Sequence, residues 1–204
     1  MSAAAHKYRI AAIVLAAGRS SRMAGANKLL ESVNGKPMVR AAVEAAVHGS
    51  LVPVIVVTGF EPNKVASMLG GLDTLFAHNP NYEQGLSTSL AAGIAAVPEA
   101  CEGACVLLAD MPGVTADHVK RLLAAFDPGA KAAICVPVYK GQRGNPVLFA
   151  REFFPAMMSL QGDVGARRIV QENAAAVREV EMPDAGVLAD VDTPDALNRA
   201  RAAR

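Results

Sequence analysis

Short runs that are apolar at nearly every residue recur along this chain and alternate with segments of helical spacing. They lie at Ile10 to Ala16, Val52 to Thr58, Thr74 to His78, Ala104 to Ala109, Ala132 to Val138 and Asn145 to Phe149. A strand that is apolar on both faces must be covered on both, which points to a parallel sheet between two helical layers. Helical patterns fall where such a sheet needs crossovers. Asp117 to Phe126 places Val119, Leu122, Leu123 and Phe126 on one stripe, with Thr115 as the cap and Pro128-Gly129 as the stop. Pro37 starts a helix through Val39, Ala42 and Val43, Glu61-Pro62 starts another toward Met68-Leu69, and Pro194 can begin a final one. The predicted order is βαβαβαβαβ, an α/β sandwich of doubly wound type. Tyr139 to Gly144 is a short polar turn with two glycines between two strand-like runs, so a hairpin and a mixed sheet are predicted.

The 204 residues, 52% of them hydrophobic, suffice for one domain over 1–204 with a sizeable core, and residues 1–8 and 201–204 are expected to be flexible. Lys and Arg number 20 against 19 Asp and Glu, for a net charge of +1, and no block of like charges occurs. Such a balance excludes a nucleic-acid backbone as the expected partner. Met1 to Lys7 lacks a signal-type apolar stretch and no later run is long enough to span a bilayer, so a cytoplasmic protein without a membrane partner is predicted. Three cysteines, Cys101, Cys105 and Cys135, have no histidine at metal-ligand spacing and read as buried, reduced thiols. The four histidines are scattered without a Ser or Cys partner, which leaves a hydrolase triad unsupported.

In an open α/β sheet, ligands bind beyond the carboxyl ends of the strands. The loop after the first strand, Leu15-Ala16-Ala17-Gly18-Arg19-Ser20-Ser21-Arg22-Met23 with Lys28 beyond it, is small and basic. Backbone N–H groups there can cradle phosphate while Arg19, Arg22 and Lys28 supply charge, although an ordinary strand-to-helix turn would look similar. Asp110 ends a buried strand and precedes Met111-Pro112, where a carboxylate suits Mg²⁺ or a turn. Asp190 and Asp192 share a face if their segment is extended, offering a second carboxylate to the same cation, while Thr193 or Asp192 would equally serve as the cap of the helix begun by Pro194. Asn79 to Ser89 carries amides, hydroxyls and the start of a helix, suited to a nucleoside or to capping alone. Gln161 to Arg168 sets Asp163, Arg167 and Arg168 near another helix start, with a solvated basic face as the alternative.

Taken together, these segments resemble the molybdenum cofactor cytidylyltransferases among the MobA-like nucleotidyltransferases. The resemblance rests on Leu15 to Met23 with Lys28, Gln84 to Leu90, Leu108 to Pro112, Arg143 to Pro146, Gly162 to Arg167 and Asp190 to Pro194, and spans Ile10 to Ala200. It implies a Rossmann-like three-layer α/β/α sandwich with a mostly parallel, mixed sheet. It also implies Mg²⁺-dependent transfer of CMP from CTP to molybdenum-bound molybdopterin, with Mn²⁺ as a possible substitute, and transient contact with a molybdenum hydroxylase or its chaperone. Carried onto this sequence, it gives Lys28, Arg22 and Asp110 catalytic roles and makes Asp110 and Asp192 the metal ligands. Nucleotide contacts fall to Leu15, Ala16, Ala17, Gly18, Arg19, Ser20, Gln84, Gly85, Ser87 and Ser89, and acceptor contacts to Arg143, Asn145, Asp163 and Arg167. Guanylyltransferase relatives usually carry Leu-Ala-Gly-Gly where this chain has Leu15-Ala16-Ala17-Gly18, so Ala17 and the Gly85-Leu86-Ser87 turn resemble the cytidylyl branch. The family commonly runs Met-Gly directly, whereas extra small residues follow Met23 here and bear on the register of Lys28. Guanylyl transfer to the same pterin, nucleotidyl transfer to another small phosphate, and a non-catalytic cofactor carrier are the competing readings.

Overall fold

A computed structural model describes residues 7–20, 27–130, 132–163 and 165–202. In chain order the strands are β1 (Ile10–Ala16), β2 (Ser32–Val33), β3 (Lys36–Pro37), β4 (Val54–Thr58), β5 (Leu75–His78), β6 (Gly103–Leu108), β7 (Ile134–Tyr139), β8 (Gln142–Arg143), β9 (Val147–Ala150) and β10 (Val177–Glu181). The α-helices are α1 (Met38–His48), α2 (Pro62–Ser67), α3 (Leu86–Ala95), α4 (Ala116–Ala125), α5 (Phe154–Met158), α6 (Arg167–Glu172) and α7 (Pro194–Ala202). The main sheet runs β10-β7-β9-β6-β1-β4-β5, and β8 pairs with β7 at the side. β1 is parallel to both β4 and β6, β4 to β5, and β10 to β7. Only β9, between β6 and β7, and the short β8 run antiparallel within it. The sheet is thus mostly parallel and mixed, as the hairpin signal in Tyr139 to Gly144 predicts.

The all-apolar strand β1 divides its side chains between two cores. Ala12, Val14 and Ala16 pack with Val39, Val43, Val119 and Leu122 of α1 and α4, while Ile13 and Leu15 pack on the other face with Leu90, Ile94, Phe154 and Ile169. Every residue of β1 and β4 is buried, which explains why neither strand shows alternation. Helices cover both faces of the sheet, giving the three-layer α/β/α sandwich that the sequence predicts.

Local signals place the helices. Thr115 caps α4 in a capping box with His118, and Pro62 stands at the first turn of α2. The strand bounds differ at several ends. Val52 and Pro53 precede β4 across a cis peptide, and Asn145 and Pro146 precede β9 across another, so both strands start after their proline. β10 is an added strand, whose Val-Arg-Glu-Val-Glu composition gives little apolar signal because it lies at the sheet edge with most residues exposed or partly so. The segment around Asp190 pairs with no strand among the described residues, and Asp192 lies two residues before α7. All three cysteines are buried free thiols. Among the described residues no helix is long and apolar enough to cross a membrane.

Candidate active site

The carboxyl ends of β1 and β6 and the segment before α7 meet around one ammonium group. Lys28 Nζ lies 2.6 Å from Asp110 Oδ2 and 2.5 Å from Asp192 Oδ1. The lysine side chain is 11% exposed, against 21% for Asp110 and 26% for Asp192. The backbone fixes all three. Asp110 follows β6, and its carbonyl accepts the N–H of Val191 at 2.9 Å, which holds Asp192 beside it. Ser20, with φ 54°, turns its Oγ to accept the backbone N–H of Lys28 at 3.1 Å. Asn27 Oδ1 accepts the N–H of Leu29, so the lysine sits in a capped single turn whose Leu29 is buried. Burial alone would lower the Lys28 pKa, but the charges and hydrogen bonds of Asp110 and Asp192 outweigh it and hold the ammonium above its ordinary value.

These groups line a polar cavity of about 530 Å³ together with Leu15, Ala17, Gly18, Arg19, Ser20, Gly85, Leu86, Ser89 and Asp163. The start of α3 forms one wall. Gly85 has φ 113°, a left-handed conformation that favours glycine, and a Cβ there would lie 2.9 Å from the backbone nitrogen of Asp163. Ser87 N–H donates to the Gly162 carbonyl at 3.1 Å, so the loop around 162 rests on the first turn of α3. Arg19 and Glu83 close an exposed ion pair of 2.7 Å at the cavity.

A second cavity of about 380 Å³ adjoins the first, sharing Leu15, Leu86 and Leu108 with it. Its walls are mainly apolar, with Val106, Val136, Val147 and Phe149 from the sheet, and its polar groups are Arg143, Asn145, Arg167 and Gln171. Arg143 Nε donates to Glu179 Oε1 at 2.7 Å. Asn145 N–H donates to the Val187 carbonyl at 2.9 Å, and Gly144 has no room for a side chain against that same carbonyl.

Of the residues that the sequence points to, Leu15, Ala17, Gly18, Arg19, Ser20, Lys28, Gly85, Ser89, Asp110 and Asp192 come together in the polar cavity. Arg143, Asn145 and Arg167 come together in the apolar one. Asp163 lies in the polar cavity, away from the other three residues of its group. Gln84 is exposed and bonded to Asn81, Ser87 Oγ is buried without a partner among the described residues, and Ala16 is a buried strand residue. None of the three lines either cavity. Arg22 lies outside the described residues. Tyr82, Glu83 and Leu86 also line the polar cavity, and all three lie in the Asn79 to Ser89 loop that the sequence offers for a nucleoside. Among the described residues no cluster of three or more His, Cys, Asp or Glu could hold a metal ion. Asp110 and Asp192 nevertheless converge on one cation, and two hard oxygen donors with room beside them suit Mg²⁺, which keeps waters and takes phosphate oxygens.

Residues 12–194 match the profile of the MobA-like NTP transferase domain. Purine catabolism protein PucB of Bacillus subtilis is 32% identical, with 94% of this chain and 95% of that protein covered. Nicotine blue oxidoreductase of Paenarthrobacter nicotinovorans is 27% identical over 93% and 95% of the two chains. Molybdenum cofactor cytidylyltransferase of Escherichia coli is 29% identical over 90% and 91%. The crystal structure of Rv0371c from Mycobacterium tuberculosis superposes with a TM-score of 0.82 at 28% identity, covering 96% of this chain and 100% of that one. The complex of Rv0371c with manganese superposes at 0.79, with 26% identity over 96% of this chain and 100% of that one.

Proposed function

The chain belongs to the MobA-like NTP transferase domain family, whose members include molybdenum cofactor nucleotidyltransferases, and we propose that it transfers CMP from CTP to molybdenum-bound molybdopterin. The observation that carries this reading is the pairing of two adjoining cavities. One is polar and holds the Lys28, Asp110 and Asp192 cluster; the other is mainly apolar and carries Arg143, Asn145 and Arg167. A triphosphate needs the first kind of surface and a flat, anionic acceptor the second. Ala17 and the Gly85 turn, both in the polar cavity, support cytosine over guanine. One fold can host other chemistry, as the oxidoreductase relative illustrates, and it is the Lys28, Asp110 and Asp192 cluster in the polar cavity that supports the phosphate reading.

In the reaction proposed, an oxygen of the acceptor phosphate forms a bond to the α-phosphorus of CTP. The bond from that phosphorus to the bridging oxygen breaks and pyrophosphate leaves with the electron pair. The acceptor is already anionic near neutral pH, so the protein's part is orientation and charge. The backbone of Ala17 to Ser20 and the first turn of α3 hold phosphates and ribose, and Leu15, Leu86 and Ser89 flank the nucleoside. Lys28, with Arg22 as its partner from the sequence, offsets charge as it develops on pyrophosphate. Asp110 and Asp192 hold the divalent cation, which supplies positive charge to the phosphates when bound. Arg143 and Arg167 meet anionic groups of the acceptor, and Asp163 faces the nucleotide side.

The test is pyrophosphate release from each of the four nucleoside triphosphates with molybdenum-loaded molybdopterin as acceptor. Release with CTP well above the other three is expected. Release with GTP alone replaces cytidylyl by guanylyl transfer, and CTP binding without release in the presence of acceptor supports a carrier.

A further inference from the structure

Lys28 takes up the same oxygens that a divalent cation needs. Its ammonium touches Asp110 Oδ2 at 2.6 Å and Asp192 Oδ1 at 2.5 Å and is more deeply covered than either carboxylate. A metal ion bound between these oxygens would compete for their lone pairs and stand beside a like charge. The lysine backbone is fixed by Ser20 Oγ, by the Asn27 cap and by buried Leu29, so what remains free to move is the four-carbon stem. That stem lines the polar cavity beside Gly18, Ser20 and Gly85, where the proposed reading seats the triphosphate. Resting on the assignment of Asp110 and Asp192 as cation ligands, we infer that Lys28 holds the cation seat in the nucleotide-free protein and yields it when a triphosphate arrives to take its ammonium. Cation and nucleotide then bind as a coupled pair, and Lys28 changes partner from carboxylate to phosphate. Without nucleotide the ammonium opposes a divalent ion at this seat, which therefore binds weakly. Once the ammonium leaves, it no longer competes with the ion for Asp110 Oδ2 and Asp192 Oδ1.

The test is Mn²⁺ binding without nucleotide, followed by the paramagnetic resonance of free Mn²⁺, for wild-type protein and Lys28→Met. The variant is expected to bind Mn²⁺ at least tenfold more tightly, and Lys28→Met/Asp110→Asn to lose that gain. Adding α,β-methylene CTP should tighten Mn²⁺ binding by a larger factor in the wild type than in Lys28→Met. Equal or weaker nucleotide-free binding by a Lys28→Met protein with wild-type circular dichroism overturns the inference. A measurement on wild-type protein alone covers the case in which the variant does not fold. At a Mn²⁺ concentration that the resonance shows to fill the seat, acetylation of Lys28 by acetic anhydride, read by mass spectrometry against exposed Lys140, should rise at least threefold over its level without the ion, and no rise at that occupancy overturns the inference. The nucleotide-free comparisons stand whichever triphosphate is the substrate, so failure of cytidylyl transfer and failure of this coupling are separate results.

Discussion

Lys28 Nζ and Asp110 Oδ2 lie 2.6 Å apart although 82 residues separate them in the chain. The fold brings them together because β1 and β6 are adjacent parallel strands and both residues lie past their carboxyl ends. If Asp110 holds cation and lysine as proposed, Asp110→Asn removes a preorganised charge and lowers turnover by about 10²-fold or more. Pyrophosphate release at saturating Mg²⁺ measures this, and near-wild-type turnover would remove Asp110 from its role.

Gly85 is a tight backbone turn in the wall of the polar cavity. Its φ of 113° and the nearby backbone of Gly162 and Asp163 leave no place for a methyl group. Gly85→Ala should cost about 1–3 kcal/mol of stability from strain. It should also weaken CTP binding at least tenfold, read by calorimetry, while α3 stays folded by circular dichroism. Unchanged affinity would show that this turn does not shape the nucleotide site.

The division of labour between the cavities predicts a split in kinetics. Arg167→Ala, in the apolar cavity, should raise KM for the acceptor about tenfold, the scale of one lost charged hydrogen bond, and leave KM for CTP unchanged. Asp163→Ala, in the polar cavity, should act on KM for CTP instead. Initial rates with each substrate varied in turn decide the matter, and the reverse pattern contradicts the assignment.

Glu44 on α1 gives a pH signature independent of the site. The Lys36 ammonium at 2.6 Å holds its carboxyl below the ordinary 4.5, burial opposes this, and the Arg40 guanidinium at 2.9 Å adds to the lowering. A depressed folded pKa stabilises above the unfolded value and loses its effect as pH falls through the folded value. Glu44→Gln should therefore cost about 0.5–1 kcal/mol in urea unfolding at neutral pH. The difference from wild type should shrink as pH falls below 4.5, and a constant difference would mean that the cost is not electrostatic.

The cysteines should be inert in the folded protein. Burial pushes the Cys135 thiol up to about 12 and Cys105 beyond it, and it raises Cys101 as well. Ellman's reagent at mildly alkaline pH should react slowly with native protein and promptly with all three thiols in guanidinium. Fast native reaction at one thiol would show local opening of its strand or loop.

The parts of this molecule legible in the sequence are those where one physical demand dominates. Ile10 to Ala16 must be buried on both faces, and Thr115 and Pro62 suit helix starts, so the layers and crossovers follow. The edge strand Val177–Glu181 is hidden because its exposed positions carry charge, and the starts of β4 and β9 are displaced by prolines that cannot donate to the ladder. At the candidate site, position beyond the strand ends points to the Lys28 loop and to Asp110, whereas Asp192 is singled out from Asp190 only by the family resemblance. No sequence pattern shows that the lysine sits between the two carboxylates, since that depends on the Val191 to Asp110 backbone bond and the Ser20 turn. Proximity in sequence groups Asp163 with Arg167, yet the turn at Gly162 directs the two into different cavities.

Nucleotidyl transfer at the α-phosphorus is tested most directly by following label from CTP. Molybdenum-loaded molybdopterin, Mg²⁺ and protein are incubated in parallel with α-³²P CTP and γ-³²P CTP, and the products are separated. Cytidylyl transfer predicts α-label in a pterin-containing dinucleotide and γ-label in pyrophosphate, with both lost in Asp110→Asn. The appearance of γ-label on the acceptor or in orthophosphate, with no α-label transferred, would contradict it.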